Sequence, residues 1–279
     1  DKMKVISGFI EEIDSYSAGI QIITELEKIE SCDLLFIFSN VNYDFTEFIE
    51  AIKEDENFKN TKIVGATGDG IFFKSDIYNT GITFIGIKFK NETPFYIASR
   101  DNVKENIESV VKECVDEINI NLSNSENIIT FYNSININGS KIVDSLKKYI
   151  NIPIYGGAAG DNSKFEKSFI FNGEKAVENG IVVIAFNNKI EITGFGKSGC
   201  IPFGNGGIVT DSVDNIVRYI NHKKAIDFVK DELNGENFKD ISHLALYPLA
   251  VINNNIFWLR DPVDYDEKNG YIKYAGDIK

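Results

Sequence analysis

The chain has 279 residues, of which 43% are hydrophobic, so it can build a core in one large domain or two ordinary ones. Its 42 acidic and 29 basic residues give a net charge of −13, which argues against nucleic acids and anionic membranes as partners, because both require a basic surface. There is no run of 18 apolar residues and no signal peptide, so the composition favours a soluble, cytoplasmic protein.

Apolar periodicity predicts strands alternating with helices in the first part of the chain. A polar tract at 119–127 is expected to link this part to the next. We expect Asp44 or Thr46 to cap the second helix, and Asp101 or Asn102 the third. The predicted strands are 5–10, 34–38, 62–64, 82–89 and 95–98, the last two antiparallel to each other, and the helices are 16–29, 45–52 and 103–118.

The second part repeats the order of strand and helix, and the remainder is less regular. A hairpin with a type I′ turn at Asn172-Gly173 is expected, with 181–186 paired to 190–195. Residues 194–207 form a predicted glycine-rich loop, and 214–233 are predicted to be mostly helical. Further predicted strands are 128–132, 154–155, 244–252, 256–259 and 271–274, with a helix at 139–150.

One motif occurs twice. Gly65-Ala-Thr-Gly-Asp69 and Gly157-Ala-Ala-Gly-Asp161 lie 92 residues apart, and similar apolar runs flank both copies. The pattern predicts two copies of one structural unit, whose glycine-rich turns could line one shared cleft. The predicted fold is mixed α/β, with mixed sheets, outer helices and two similar halves, and a four-layer sandwich fits. The predicted units are 1–118, 128–190 and 191–279.

The motif suggests a ligand site. Free amides in a small-residue turn can hold an anion, and an aspartate can hold an ammonium group, so the set would suit an amino acid. The candidate residues of the second copy are Gly157, Ala159, Gly160, Asp161 and Asn162. Alternatively, the glycines let strands pack closely and the aspartate caps a turn, and the two interpretations have equal weight.

Gly68 and Asp69 are the corresponding candidates in the first copy. Ser39 and Asn133 end the matched strands, where polar side chains orient a ligand or cap the next helix. Arg260 follows an apolar strand and could bind a carboxylate or pair with a neighbouring aspartate.

Other kinds of site find little support in the sequence. The glycine motifs match neither a dinucleotide fingerprint nor a P-loop, so no nucleotide cofactor is expected. Cys32, Cys114 and Cys200 are widely spaced and form no CxxC pair, and there are only two histidines. A disulfide framework, a zinc site or a catalytic triad is therefore not expected. Cys114 is predicted to lie in the core, and Cys200 is the cysteine most apt to be exposed.

The segment from Tyr155 to Asn162 resembles the hallmark of FIST domains, and Val64 to Asp69 resembles the corresponding N-terminal motif of that family. The region 191–279 is similar to the family's second, FIST C region and ends before that region's last strands. Its similar segments are 199–204, 209–211, 221–225, 248–249, 259–262 and 270–272. Phe203, where a leucine is common, and Thr67, in place of a serine-rich turn, depart from the pattern.

The resemblance implies a sensory domain of a bacterial signalling protein that binds a small ligand, proposed to be an amino acid. The signal would pass to an attached output module, such as a chemotaxis receptor or a histidine kinase, and a homodimer is conceivable. The alternatives are an enzyme acting on a small metabolite with Asp161 or Cys200 in its site, and a purely structural dimerisation domain. We expect no catalytic residue and no metal.

Overall fold

A computed structural model describes residues 3–90, 92–162, 164–196, 198–235, 237–253 and 256–278. The chain forms two compact units, Asp1–Gly194 and Phe195–Lys279. None of the helices in the described ranges is long and apolar enough to cross a membrane.

The first unit alternates strands and helices. In chain order its elements are β1 (Met3–Ile10), α1 (Ser15–Leu26, continued by a 3-10 turn at Glu27–Ile29), β2 (Leu34–Ser39), α2 (Phe45–Lys53), β3 (Lys62–Thr67), β4 (Ile71–Phe73), β5 (Asp76–Tyr78), β6 (Ile82–Phe89), β7 (Phe95–Asp101), α3 (Ile107–Asn121), β8 (Ser125–Asn133), α4 (Gly139–Tyr149), β9 (Ile154–Ala159), β10 (Ile170–Gly173), β11 (Ala176–Val177) and β12 (Gly180–Asn187).

Two sheets of the first unit share one strand arrangement. The first sheet has the order β1-β6-β2-β3-β10-β11, and the second has the order β7-β12-β8-β9. In both, the third and fourth strands are parallel, and the first three strands are antiparallel neighbours. The two sheets differ at one end, because the β10–β11 hairpin extends the first sheet beyond β3. The hairpin β4–β5 forms a separate two-stranded sheet.

The two sheets lie face to face between outer helices. Phe36 and Val64 of the first sheet share a buried cluster with Phe131 and Val182 of the second. Helices α1 and α2 cover the other face of the first sheet, and α3 and α4 cover the second. The first unit is therefore a mixed α/β fold of four layers, as the sequence predicted.

Several local predictions for the first unit were wrong. β6 and β7 do not pair with each other, since β6 joins the first sheet and β7 joins the second. Residues 190–195, all described, form no strand, and β12 pairs with β7 and β8 instead. Asn106 caps α3 in place of Asp101 or Asn102. The hairpin pairs Phe171 with Ala176, so its turn is longer than a type I′ turn. Asp44 caps α2, as predicted.

The second unit is mainly antiparallel β-structure. Its elements are β13 (Val209–Val213), β14 (Ile216–Ile220), β15 (Lys223–Lys224), α5 (Ala225–Glu232), α6 (Ile241–Leu244), β16 (Leu249–Asn253), β17 (Ile256–Arg260), β18 (Pro262–Asp266) and β19 (Tyr271–Tyr274). One sheet has the order β13-β14-β19-β18, with β15 beside β14, and β16 pairs with β17. The prediction of a mostly helical segment at 214–233 was wrong, because its first half forms β14 and β15.

Candidate functional site

A glycine with positive φ lies within β3 and another within β9, the fourth strands of the two sheets. Gly65 has φ of 134° in β3, and Gly156 has φ of 133° in β9. A Cβ atom on Gly65 would overlap the carbonyl oxygen of Ile37, and one on Gly156 would overlap that of Thr130. Gly156, not Gly157, therefore matches Gly65, although the sequence motif aligns Gly65 with Gly157. Both positions require glycine because the neighbouring backbone is too close for a side chain.

The two motif copies meet where β3 and β9 end. The Gly160 amide donates to the carbonyl oxygen of Thr67 over 2.8 Å, and the Thr67 hydroxyl donates to the carbonyl oxygen of Gly160 over 2.7 Å. The Asp161 amide donates to Oδ1 of Asp69 over 2.9 Å. The copies face each other, as the repeat suggested. Their mutual hydrogen bonds nevertheless use the amides of Gly160 and Asp161, which the sequence had suggested as ligand donors.

The Asp161 carboxylate organises the loop that follows β9. It accepts hydrogen bonds from the amides of Phe165, Glu166 and Lys167 over 2.9, 2.7 and 3.1 Å, and the residue is only 4% exposed. Burial disfavours its ionised form, but these amides outweigh burial and lower the pKa of the carboxyl group. The observed contacts are those of a loop-capping aspartate, the alternative stated for this residue.

Asn133 is fully buried and joins three segments. Its Nδ2 donates to the carbonyl oxygens of Ser168 over 2.7 Å and Val177 over 3.3 Å, and its Oδ1 accepts from the Gly180 amide over 2.8 Å. Ser39 is also fully buried, and within the described part of the chain its Oγ lacks a hydrogen-bond partner. Neither side chain is accessible to a ligand from solvent.

The remaining candidates are dispersed. The Gly68 amide donates to the carbonyl oxygen of Ser39 over 2.9 Å. Ala159 is buried between the two sheets, whereas Asn162 is exposed with φ of 60°. Arg260 belongs to the second unit, where it donates to the carbonyl oxygens of Asp277 and Leu259 over 3.2 and 3.1 Å.

A cavity of about 720 Å³ lies beside the second motif, between β9 and α4. Gly157 is the sequence-predicted site residue that lines it, together with Gly156. Apolar side chains and one exposed amine, that of Lys147, form much of the remaining wall. The other lining residues are Thr130, Tyr132, Val143, Ile150, Asn151, Ile152, Pro153, Ile154 and Tyr155.

Sequence reasoning did not find Lys147, although the repeat contained a signal. Lys53 of α2 and Lys147 of α4 each follow the helix cap, Asp44 or Asn138, by nine residues. Among the described residues Lys53 pairs with Glu174, whereas Lys147 makes no ion pair. Alignment of α2 with α4 therefore identifies the Lys147 amine as one that could bind a ligand, whereas the matching Lys53 amine is already paired.

The second unit contains a separate cavity of about 480 Å³. It is lined mainly by apolar side chains of the 200–206 segment, α5 and the residues around β16, and the exposed Cys200 lies at its wall. Within the described ranges, no group of three or more His, Cys, Asp or Glu residues could hold a metal ion.

Comparisons with known proteins give one family. No curated protein matches the chain. Among solved structures, the chain is similar to cyanuric acid hydrolase from A. caulinodans, at 7% identity and a TM-score of 0.32, over 67% of this chain and 71% of that one. A similarity at that level carries no functional argument. The family model described as the FIST N domain matches residues 33–223, which is more than half of the chain. The chain therefore belongs to the FIST N domain family.

Proposed function

We propose that the chain is a sensory domain that binds a small carboxylate-bearing metabolite, with an amino acid as the first candidate, in the cavity between β9 and α4. Binding would control an attached signalling output module in the cytoplasm, such as a chemotaxis receptor or a histidine kinase. Membership in the FIST family supports the sensory role. The single observation that carries the choice of site is the cavity beside the second glycine motif.

The cavity has the size and chemistry for such a ligand. Its volume of about 720 Å³ falls in the range of small-molecule sites, which are mostly apolar with a few placed polar groups. Val143, Ile150 and Ile152 supply the apolar wall. Lys147 supplies a cation for a carboxylate, which the chain's net charge of −13 would otherwise repel.

Gly156 gives the ligand access to the backbone. The residue is exposed and carries no side chain, so a ligand can approach its peptide groups closely. An ammonium group placed against a carbonyl of β9 and a carboxylate at Lys147 would fix the two ends of an amino acid. Asp161 would then act by holding the loop after β9, and not by contact with the ligand.

The enzyme alternative gains no support from Asp161. Its carboxylate accepts three backbone amides and is nearly inaccessible, so it is poorly placed as a nucleophile or a base. Cys200 is exposed, but a cysteine nucleophile also needs an adjacent base, and sequence reasoning identified none.

The test is a thermal-shift screen of the whole chain with the twenty amino acids and related carboxylates, followed by calorimetric titration of each hit. A ligand at about 100 times its Kd should add roughly 2.7 kcal/mol to the free energy of unfolding. Lys147→Gln should weaken binding about tenfold. The matched control is Lys148→Gln, because Lys148 lies on the same helix and pairs with Glu108. Equal affinity in both variants would place the ligand elsewhere, and no binding below about 1 mM would reject the amino-acid proposal.

A further inference from the structure

The fourth strand of each sheet has a different environment. β3 of the first sheet is followed by β10, which pairs with it antiparallel from Ile170 opposite Ala66 to Gly173 opposite Ile63. Among the strands that the structure describes, β9, the corresponding strand of the second sheet, is the last of its sheet. The same arrangement of four strands is thus completed on one side and open on the other.

The open edge presents backbone groups of small residues. The Ile128 amide donates to the carbonyl oxygen of Pro153 over 3.0 Å, and β8 pairs in parallel register with β9. Because alternate residues of a strand bond to the same neighbour, Gly156 and Ala158 direct their N–H and C=O groups away from β8. Both residues are exposed. Such an edge can accept another strand.

The first sheet shows which side chains a neighbouring strand places against such an edge. Phe171 of β10 lies opposite Gly65, is fully buried, and packs against Phe45 of α2 with ring centroids 5.0 Å apart. Three residues later, in the turn that follows β10, Glu174 pairs with Lys53 of α2 over 3.4 Å and also with Lys62 of β3. A large apolar side chain thus covers the glycine, and a carboxylate meets the lysine at the end of the helix.

The open edge has two of the same features, the glycine and the helix lysine, whereas Pro153 stands at the position of Lys62. Gly156 has the φ of Gly65, and a residue opposite it would direct its side chain to the face where Thr130 and Tyr132 line the 720 Å³ cavity. Lys147 lies on α4 at the position of Lys53 on α2. The cavity and the amine therefore match an apolar residue followed, three positions later, by an acidic one.

We propose that the β9 edge binds an extended segment of a partner protein, antiparallel to β9. The segment places a large apolar side chain opposite Gly156, inside the cavity, and then turns, as the chain does after β10, so that a carboxylate three residues later reaches Lys147. Backbone hydrogen bonds to Gly156 and Ala158 supply the strand addition. The inference goes beyond the proposed function and shares its cavity, so ligand and segment would exclude each other.

The edge does not suit a second copy of β9. That strand, Ile154–Ala159, contains no acidic residue, so a β9–β9 pair would bring two Lys147 side chains to one interface without a carboxylate from either strand. It would also set small residues against small residues. A segment of a different protein that carries one large apolar residue and one acidic residue would supply both the carboxylate and the large side chain.

The experiment measures binding of a fluorescent peptide to the whole chain by polarisation. The probe has the sequence of residues 168–175, because that segment carries Phe171 and Glu174 in the required spacing. We expect saturable binding that Ala158→Pro abolishes, since proline removes an edge donor that β8 does not use. Lys147→Glu should weaken binding about fivefold, and a peptide carrying Glu174→Lys should recover it on that variant.

Controls separate this inference from the proposed function. Lys148→Glu should leave peptide binding unchanged. The inference is overturned if Lys147→Glu leaves the affinity for the peptide unchanged. It is also overturned if no peptide binds up to about 1 mM, even if metabolites bind. Peptide binding without any metabolite binding rejects the proposed function and leaves the partner site intact. A chain that sediments as a dimer, and dissociates with Ala158→Pro, would assign the edge to a second copy and overturn the proposed occupant.

Discussion

The backbone amide of Asp161 donates to Oδ1 of Asp69, so the last residues of the two motif copies are joined directly. Together with the paired hydrogen bonds between Thr67 and Gly160, this contact fastens the end of β3 to the end of β9. The repeated motif therefore forms a structural junction, and the cavity beside Gly156 and Gly157 is the accessible feature next to it.

Substitution of two adjacent glycines should lower stability by very different amounts. Gly156→Ala should lower the free energy of unfolding by roughly 3 kcal/mol or more, because of its positive φ and its contact with the carbonyl of Thr130. Gly157→Ala should cost about 1 kcal/mol or less, since no atom lies within 4 Å of the added Cβ. Urea denaturation of both variants checks this, and equal costs would contradict the assignment of Gly156 to the position of Gly65.

Asp161 should make stability depend on pH. Its folded-state pKa lies below the ordinary value of 3.8, so its contribution is present above that value and is lost as pH falls through the folded pKa. Asp161→Asn should cost about 2 kcal/mol at pH 7 and progressively less below pH 4. Urea denaturation between pH 7 and pH 3 measures the difference. Glu166→Gln, an exposed carboxyl in the same loop, is the control, and a difference independent of pH would refute the capping role.

Asn133 should be required for folding and not for ligand binding. Asn133→Asp replaces an amide donor that faces two carbonyl oxygens, and it should lower the free energy of unfolding by about 3 kcal/mol. Asn119→Ala, at an exposed position of α3, should change it by less than about 0.5 kcal/mol. Thermal unfolding compares the two. A stable Asn133→Asp variant that had lost ligand affinity would restore this residue to the ligand site.

The three cysteines should differ in reactivity. Burial raises the pKa of Cys32 and of Cys114 to about 12, whereas Cys200 is exposed. A disulfide reagent at pH 8 should therefore titrate one thiol in the native chain and three after unfolding. Cys200→Ser should remove the native signal, and rapid reaction of a second thiol would mean that one of the two buried sites opens readily.

The sequence pattern predicted elements better than partners. Apolar runs located β2 and β12, because a strand buried on both faces reads as a continuous apolar run. The pattern does not encode which sheet a strand joins, so β6 and β7 were assigned to each other. In β14 the residues Ile216, Val217 and Ile220 have a spacing that also fits one helical face, which explains the wrong helix there.

The site was predicted in part for a similar reason. The repeat located the junction, and Gly157 borders the cavity. Composition could not show that Asp161 and Asn133 use their hydrogen bonds on the backbone. The amides bound by Asp161 depend on how the next few residues turn, and the partners of Asn133 lie between Ser168 and Gly180. Lys147 was missed because one exposed helical lysine resembles any other until α4 is superposed on α2.

The β10–β11 hairpin has a consequence for synthesis of the chain. The first sheet takes its other four strands from residues 3–89, yet its last two come from residues 170–177, after most of the second sheet. During translation more than 100 residues must be synthesised after β3 before β10, its second neighbour in the sheet, emerges from the ribosome. A fragment that stops between β6 and β7 would therefore expose β3 as a bare apolar edge, and we expect it to aggregate although the sequence of its own half is intact.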